Sequence, residues 1–135
     1  MLFGTKRHAV LELSEIHQYG LDSYQDPDYV SIYGLRPSKA YGMGIRMLGR
    51  TAVECTRDDL ASAIATDVAA LVVQGAWASQ LVVDPFAGSG NTLYWLLRKL
   101  PGARAIGCEN DPLVYELSAK NLALLDLPLG LDCLD

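Results

Sequence analysis

One stretch of the sequence decides the fold, and it reads Leu81-Val82-Val83-Asp84-Pro85-Phe86-Ala87-Gly88-Ser89-Gly90-Asn91-Thr92. Its apolar start predicts a short strand that ends at Asp84, and the glycines that follow predict a tight loop. Residues 93–100 then predict a helix. Glycine lets the backbone approach a ligand closely because no Cβ stands in the way. Strand, glycine loop and helix form the first half of a βαβ unit of the kind that binds nucleotides.

A second strand follows at the expected distance along the chain. Residues 103–108 predict a buried strand that ends at Glu109. A carboxylate about 20 residues beyond the glycines, at the tip of the second strand, is the group that grips a ribose. An ionised carboxylate only accepts hydrogen bonds, so it can hold two vicinal hydroxyls at once. Asp111 and Pro112 then suit the N-cap and the first position of a second helix.

Both halves of this unit resemble the same known family. Residues 84–92 resemble motif I of the S-adenosylmethionine-dependent methyltransferases, and the Pro-Phe after the acid is similar to the form found in nucleic-acid amino-methyltransferases. The Gly-Asn-Thr ending also resembles methylases of cap-like guanosines in RNA. Residues 107–115 are similar to the next motif of the family. The resemblance covers residues 80–125.

The resemblance implies an α/β, Rossmann-like methyltransferase fold that is partial, with the first two βα units after an N-terminal α+β extension. It implies S-adenosylmethionine as the cofactor, with its methionine end at Asp84 and the Gly88–Gly90 backbone and its ribose at Glu109. The residues expected to bind the cofactor are Asp84, Pro85, Phe86, Ala87, Gly88, Ser89, Gly90, Asn91, Thr92, Glu109 and Asn110. Residues 125–131 are predicted as the loop that leads into a third strand.

Two other phosphate-binding motifs fit the glycine loop less well. A dinucleotide fingerprint needs a small third residue in G-x-G-x-x-G, and Leu93 occupies that position. The P-loop string G-x-x-x-x-G-K-[ST] does not occur in the sequence. Two structural interpretations also stay open, namely that the glycines form only a tight turn and that Glu109 is a solvated strand end.

No segment carries a strong signal for the catalytic residues. In amino-methyltransferases of this resemblance, an Asp/Asn-Pro-Pro-Tyr/Phe motif grips the target amine. The nearest match is Asp26-Pro27-Asp28-Tyr29, which makes Asp26 and Tyr29 weak catalytic candidates. The third position is aspartate instead of proline, and a proline turn entering a strand explains the string without a function.

The N-terminal part of the chain predicts strands and a basic aromatic patch. Residues 9–13 and 29–35 read as strands. Aromatic and basic residues interleave in a way that suits nucleic acid, at Tyr33, Arg36, Lys39, Tyr41, Arg46 and Arg50. The alternative is a solvated segment with a few buried rings.

A helix is predicted just before the first sheet strand. Thr56 is expected to cap it, with Asp59 completing a capping box, and Gly75 is expected to end it. Its apolar residues recur at helical spacing and predict one buried face, made of Leu60, Ile64, Val68, Leu71 and Val72.

Composition limits the partners and the compartment. The 135 residues carry a net charge of −5 with an isoelectric point near 4.9, so the chain has no general attraction to phosphate. Three cysteines and two histidines show no metal-ligand spacing, so no metal is expected. No apolar run is long enough for a signal peptide or a membrane span, and a cytoplasmic location is expected.

These patterns divide the chain into an N-terminal extension of residues 1–55, expected to face the substrate, and the first part of a cofactor-binding domain, residues 56–135. Three functions remain open: a methyltransferase acting on DNA or RNA, a catalytically incomplete cofactor-binding module, and a small-molecule methyltransferase. An open sheet edge predicts a homo-oligomer or a partner chain that completes the sheet.

Overall fold

The computed structural model describes residues 4–75 and 81–133, and these residues form six helices and three strands. The first helices are α1 (Leu13–Tyr24), α2 (Pro37–Gly42), α3 (Gly49–Glu54) and α4 (Asp58–Gln74). The sheet region then alternates β1 (Leu81–Asp84), α5 (Asn91–Lys99), β2 (Arg104–Glu109), α6 (Pro112–Ala123) and β3 (Leu129–Cys133). The protein is therefore mixed α/β.

The three strands form one parallel sheet with β2 at its centre. Val83 of β1 pairs with Ile106 of β2, and Gly107 pairs with Leu131 of β3. Parallel neighbours need a crossover connection, which α5 and α6 provide. The carboxyl ends of all three strands therefore share one edge of the sheet, and the glycine loop leaves β1 there. This order is compatible with one half of a Rossmann-like sheet.

The third strand lies partly within the predicted loop. The sequence predicts a loop over residues 125–131, whereas β3 already begins at Leu129. Leu129 also packs against both hydrophobic cores.

The predicted start of α4 is one residue too early. The helix begins at Asp58 with Arg57 in extended conformation as its N-cap, so Thr56 does not cap it. The Thr56 carbonyl instead accepts a hydrogen bond from the Asn91 side chain at 2.8 Å. Asp58 and Asp59 in the first turn still complement the helix dipole.

The predicted buried face of α4 is also largely wrong. Leu60 and Leu71 are 56% and 59% exposed. The helix instead buries Ala61, Ala65 and Val72, and it packs against α5. Small alanines bring the two helices close together, so a face that looks weakly apolar in the sequence becomes the contact face.

The N-terminal segment is helical, and the strands predicted there are absent from residues 4–55. Each predicted strand contributes one isolated bridge, Val10 to Leu48 and Ile32 to Leu35. Tyr33 has a φ angle of 55°, which turns the chain back within the second predicted strand. Helix α1 was not predicted, because it buries only Ile16 and Gly20 and its apolar period is short.

Two hydrophobic cores fix this segment to the sheet region. The first core is built mainly from N-terminal residues and includes Leu122 of α6. The second lies between α4, α5 and the sheet, around Ala65 and Leu93. The N-terminal segment therefore packs directly against α6, beside the carboxyl edge of the sheet.

The surface of the sheet is partly open. Among the described residues, strand β1 pairs on one side only, and its Leu81 and Val83 are 54% and 56% exposed. Among the helices of the described ranges, none has the length and apolar character needed to cross a membrane.

Candidate functional site

The glycine loop is fixed against the end of β2. Gly88 and Gly90 have φ angles of 53° and 74°, in the left-handed region that side chains disfavour. The Ala87 N–H donates to the Cys108 carbonyl at 2.8 Å, and the Gly90 N–H donates to the Ala87 carbonyl at 2.7 Å. The loop therefore sits next to the residue that ends β2, which is Glu109.

Glu109 joins the glycine loop to the start of α6. Its Oε2 accepts a hydrogen bond from the Gly88 N–H at 2.9 Å, and its Oε1 accepts one from the Asp111 N–H at 2.8 Å. Each oxygen keeps a second lone pair, so the carboxylate can still accept from a ligand. The structure thus brings together the two groups that the sequence singles out, Gly88 and Glu109.

Asp111 is held from two directions. Its Oδ1 accepts from the Leu113 and Val114 N–H groups at 3.0 and 3.3 Å, which caps α6 as the sequence predicts. Arg50 of α3 donates to the other oxygen at 2.5 Å. Burial raises the pKa of Asp111, but the two amides and Arg50 outweigh it and lower the pKa below its usual value. Arg50 thereby fastens α3 to the loop after Glu109.

Two adjoining cavities lie between α3 and the glycine loop. They enclose about 210 and 150 Å³. The larger reaches Glu109, and the smaller reaches Asp84 and Thr92. Both are lined by Glu54, Cys55, Phe86, Gly88 and Ser89. The volume of ligand pockets in proteins starts at roughly 300 Å³. Neither cavity alone reaches this volume, so a nucleoside would have to occupy both. We call the two cavities together the cleft.

The lining of the cleft is acidic. Asp84, Glu54 and Glu109 contribute carboxylates, and Arg50 is the one cation among the described residues that line it. Arg50 forms ion pairs with Glu54, at 3.1 Å, and with Asp111. Phosphate groups need unpaired donors or cations, whereas carboxylates attract cations and accept from hydroxyls. The cleft therefore suits a cationic, hydroxylated ligand better than a phosphorylated one.

The two loop glycines have different roles in the structure. A Cβ placed on Gly88 would meet no other atom within 4 Å, so its Cα faces open space. A Cβ on Gly90 would lie 2.9 Å from the Leu122 Cδ1 atom. A side chain at Gly90 would therefore press on the buried Leu122 side chain of α6, whereas Gly88 leaves bare backbone beside the cleft.

The Asn91 side chain is used inside the protein. It is 1% exposed, and its Oδ1 accepts from the Tyr33 N–H at 2.7 Å. Its Nδ2 donates to the Thr56 carbonyl at 2.8 Å and to Asp58 Oδ1 at 3.1 Å. The Trp95 indole N–H donates to the same Asp58 oxygen at 2.7 Å. Asn91 thus connects the start of α5 to the turn at Tyr33, to the segment before α4 and to the first turn of α4.

The remaining predicted cofactor residues fall into two groups. Those that line the cleft are Asp84, Phe86, Ala87, Gly88, Ser89, Asn91, Thr92 and Glu109. Pro85 and Asn110 are exposed and do not line either of the two cavities. Ser89 is buried, and its carbonyl accepts a hydrogen bond from the Tyr33 hydroxyl. The cofactor roles of these residues stay predictions.

The weak catalytic candidates lie outside the cleft lining. Asp26 Oδ1 accepts from the Asp28 N–H at 2.9 Å, and the Asp26 carbonyl accepts from the Tyr29 N–H at 3.2 Å. These hydrogen bonds form the proline turn that explains the Asp26–Tyr29 string without a catalytic function. The Tyr29 ring stacks on the Tyr24 ring.

Most residues of the predicted basic aromatic patch make contacts within the protein. Tyr33 is buried, and burial raises the pKa of its hydroxyl. The Tyr41 hydroxyl donates to the Leu11 carbonyl at 2.7 Å, and the Arg46 guanidinium donates to the Tyr41 carbonyl at 3.0 Å. Arg50 is paired with acids. The alternative of a few buried rings therefore fits the structure better.

Helix α3 and the residue after it line one side of the cleft, which the sequence did not predict. Thr51, Glu54 and Cys55 line it, although no motif marks them. Burial raises the pKa of the Cys55 thiol to about 11, so this thiol stays protonated at neutral pH. Over the described residues, no cluster of acids, histidines and cysteines could hold a metal ion.

Comparison with family models, with curated proteins and with solved structures yields no match to this chain.

Proposed function

We propose that this chain is the cofactor-binding part of an S-adenosylmethionine-dependent methyltransferase that acts on nucleic acid. The observation that supports the proposal is the 2.9 Å hydrogen bond from the Gly88 N–H to Glu109, at the rim of an acid-lined cleft. It joins the two motifs on which the resemblance depends. The Pro-Phe form of the first motif supports the nucleic-acid part.

The carboxylates of the cleft suit the charge of this methyl donor. S-adenosylmethionine carries a sulfonium and an ammonium group, and both are cations that carboxylates attract. Asp84 uses one oxygen, Oδ1, to accept from the Phe86 N–H at 3.0 Å, which leaves its other oxygen for a ligand. Glu109 keeps lone pairs for two ribose hydroxyls. Bound in the cleft, the donor supplies an electrophilic methyl group.

The reaction is an in-line attack of a substrate amine on that methyl group. The nitrogen–carbon bond would form as the carbon–sulfur bond breaks, S-adenosylhomocysteine would leave as a neutral thioether, and the methylated amine would release a proton to water. The contribution of this chain is to hold the donor, to fix its ribose and to surround the cation with carboxylates. Asp26 and Tyr29 do not line the cleft, so we assign no catalytic residue among the described residues.

Calorimetric titration with S-adenosylhomocysteine tests the cofactor part of the proposal. Glu109→Gln removes the negative charge and should weaken binding by about 1–3 kcal/mol. Glu116→Gln is the matched control, because Glu116 is exposed on α6, pairs with Lys120 and lines neither cavity of the cleft. Equal affinities for the wild type and Glu109→Gln would remove the ribose assignment. Absence of binding to the wild type at millimolar ligand would count against the proposal.

One alternative is favoured by a specific observation. Because Asp26 and Tyr29 do not line the cleft, the chain by itself could bind the cofactor without transferring its methyl group. Incubation with radiolabelled methyl donor and pools of DNA, RNA and small amines separates the possibilities. Label in nucleic acid supports the proposal, and label only in small amines indicates a small-molecule methyltransferase. Cofactor binding without any label indicates a module that needs further chain or a partner.

A further inference from the structure

The backbone of the glycine loop is held by a side chain from the N-terminal segment. The Tyr33 hydroxyl donates a hydrogen bond to the Ser89 carbonyl, 56 positions later in the chain. Tyr33 is 1% exposed, and burial raises the pKa of its hydroxyl, so this group stays protonated and can donate. Its ring also packs on Tyr94 of α5, with the ring centroids 5.6 Å apart. The hydrogen bond to the loop therefore lies in the interior of the protein.

Tyr33 lies in a tight turn with an unusual backbone conformation. Ile32 and Leu35 exchange two backbone hydrogen bonds, at 2.9 and 3.1 Å. Tyr33 and Gly34 occupy the two positions between them, with φ angles of 55° and 69°. Such positions favour glycine and asparagine, so a tyrosine there carries backbone strain. Two contacts hold it in place, namely the 2.7 Å hydrogen bond from its N–H to Asn91 Oδ1 and the bond from its hydroxyl to the glycine loop.

The loop needs support because its glycines allow several conformations. Gly88 and Gly90 flank Ser89, and glycine adopts positive and negative φ angles about equally readily. The Tyr33 hydroxyl bonds to the carbonyl of the peptide group that joins Ser89 to Gly90. The N–H of the same peptide group donates to the Ala87 carbonyl at 2.7 Å. Both polar groups of this peptide are therefore paired, which selects one conformation of the loop.

This support acts on the wall of the cleft. Ser89 and Gly88 line both cavities, whereas Tyr33 lines neither of them. Any effect of the Tyr33 hydroxyl on a ligand must therefore pass through the loop. A binding site that is already ordered avoids the cost of ordering it when the ligand arrives.

We propose that Tyr33 is a positioning residue that holds the glycine loop in its ligand-binding conformation through the Ser89 carbonyl. The effect on the methyl donor rests on the proposed function, whereas the ordering of the loop does not. Without the hydroxyl, the ligand has to order this part of the loop as it binds. The cost of ordering one residue corresponds to a loss of affinity of about 5- to 30-fold.

Hydrogen exchange in the ligand-free protein tests the ordering of the loop. Tyr33→Phe removes the hydroxyl and keeps the ring. The Gly90 amide belongs to the peptide group that loses its partner, so it should exchange about 5- to 150-fold faster than in the wild type. Tyr41→Phe is the matched control, because the Tyr41 hydroxyl also donates to the carbonyl of a buried residue, Leu11, at 2.7 Å, and Tyr41 lines neither cavity. It should leave exchange at Gly90 unchanged.

Calorimetric titration of the same proteins with S-adenosylhomocysteine tests the effect on the ligand. Tyr33→Phe should bind about 5- to 30-fold more weakly than the wild type, and Tyr41→Phe should bind like the wild type. Urea denaturation of both variants measures their stability. A loss of affinity confined to Tyr33→Phe, at similar stability of the two variants, separates positioning of the loop from a general loss of structure.

Three outcomes overturn the inference. They are unchanged exchange at Gly90 in Tyr33→Phe, an equal increase in Tyr41→Phe, and an unchanged affinity of Tyr33→Phe for a ligand that the wild type binds. The proposed function fails in a different way. If the wild type does not bind S-adenosylhomocysteine while exchange at Gly90 still depends on the Tyr33 hydroxyl, the methyltransferase proposal falls and the ordering of the loop stands.

Discussion

Replacing Asn91 should destabilise the protein strongly, because its side chain satisfies buried groups from three segments. Asn91→Ala leaves the Tyr33 N–H without its partner at 2.7 Å and the Thr56 carbonyl without its partner at 2.8 Å. An unpaired buried polar group costs about 1–3 kcal/mol. Since Asp58 keeps the Trp95 N–H, we expect a total loss of about 2–4 kcal/mol in unfolding free energy. Typical domains have about 5–15 kcal/mol in total.

Urea denaturation measures this loss. With a slope of about 2 kcal/mol per molar urea, the midpoint should fall by about 1–2 M. Asn110→Ala, on the exposed loop before α6, is the control and should stay within about 0.5 kcal/mol of the wild type. A loss below about 1 kcal/mol for Asn91→Ala would refute the argument that this side chain holds the segments together.

The isosteric Asn91→Asp adds a pH test of the same contact. The introduced carboxyl can still accept from the Tyr33 N–H, but it faces the Thr56 carbonyl and the Asp58 carboxylate. Its pKa should therefore be raised in the folded state above the unfolded value of about 3.9. A raised pKa on an acid means that the deficit relative to the wild type is small at low pH and grows as pH rises above about 3.9. A deficit that does not change with pH would contradict this geometry.

Further outcomes follow from packing. Both glycine substitutions strain a left-handed residue, but Gly90→Ala should cost about 1 kcal/mol more than Gly88→Ala in urea denaturation, because only its Cβ meets the end of a buried leucine side chain. Equal losses would contradict the assigned roles. Ala65→Leu should destabilise by about 1–3 kcal/mol, since Ala65 is fully buried, whereas Leu71→Ser should stay within about 0.5 kcal/mol. The open edge of β1 predicts association at high protein concentration, reduced by Val83→Lys; light scattering that shows a monomer throughout would count against it.

The sequence predicts the sheet region well because its signals are local. The strand before Asp84, the glycine loop and the strand ending at Glu109 all lie as expected, and Asp111 caps α6 as its residue type suggests. These features depend on neighbouring residues, on glycine conformations and on capping chemistry. Local rules therefore suffice for them.

The sequence fails where distant segments decide the structure. The burial of α4 follows from close packing against α5, which selects Ala61 and Ala65 over the larger Leu60 and Leu71. The left-handed Tyr33 turns the chain within a predicted strand, and its N–H is satisfied by Asn91, 58 positions later. The α3 wall of the cleft carries no motif. None of these contacts leaves a periodic pattern in the chain.

The most direct test of the central claim is a titration of the isotopically labelled protein with S-adenosylhomocysteine, followed by amide NMR. Glu109 accepts from the N–H groups of Gly88 and Asp111, so a ligand that shares this carboxylate must perturb both amides. We expect the largest shifts at Gly88, Ser89 and Asp111, with Lys120 in the last turn of α6 unmoved. Amides of the glycine loop that stay unchanged at millimolar ligand would contradict the account.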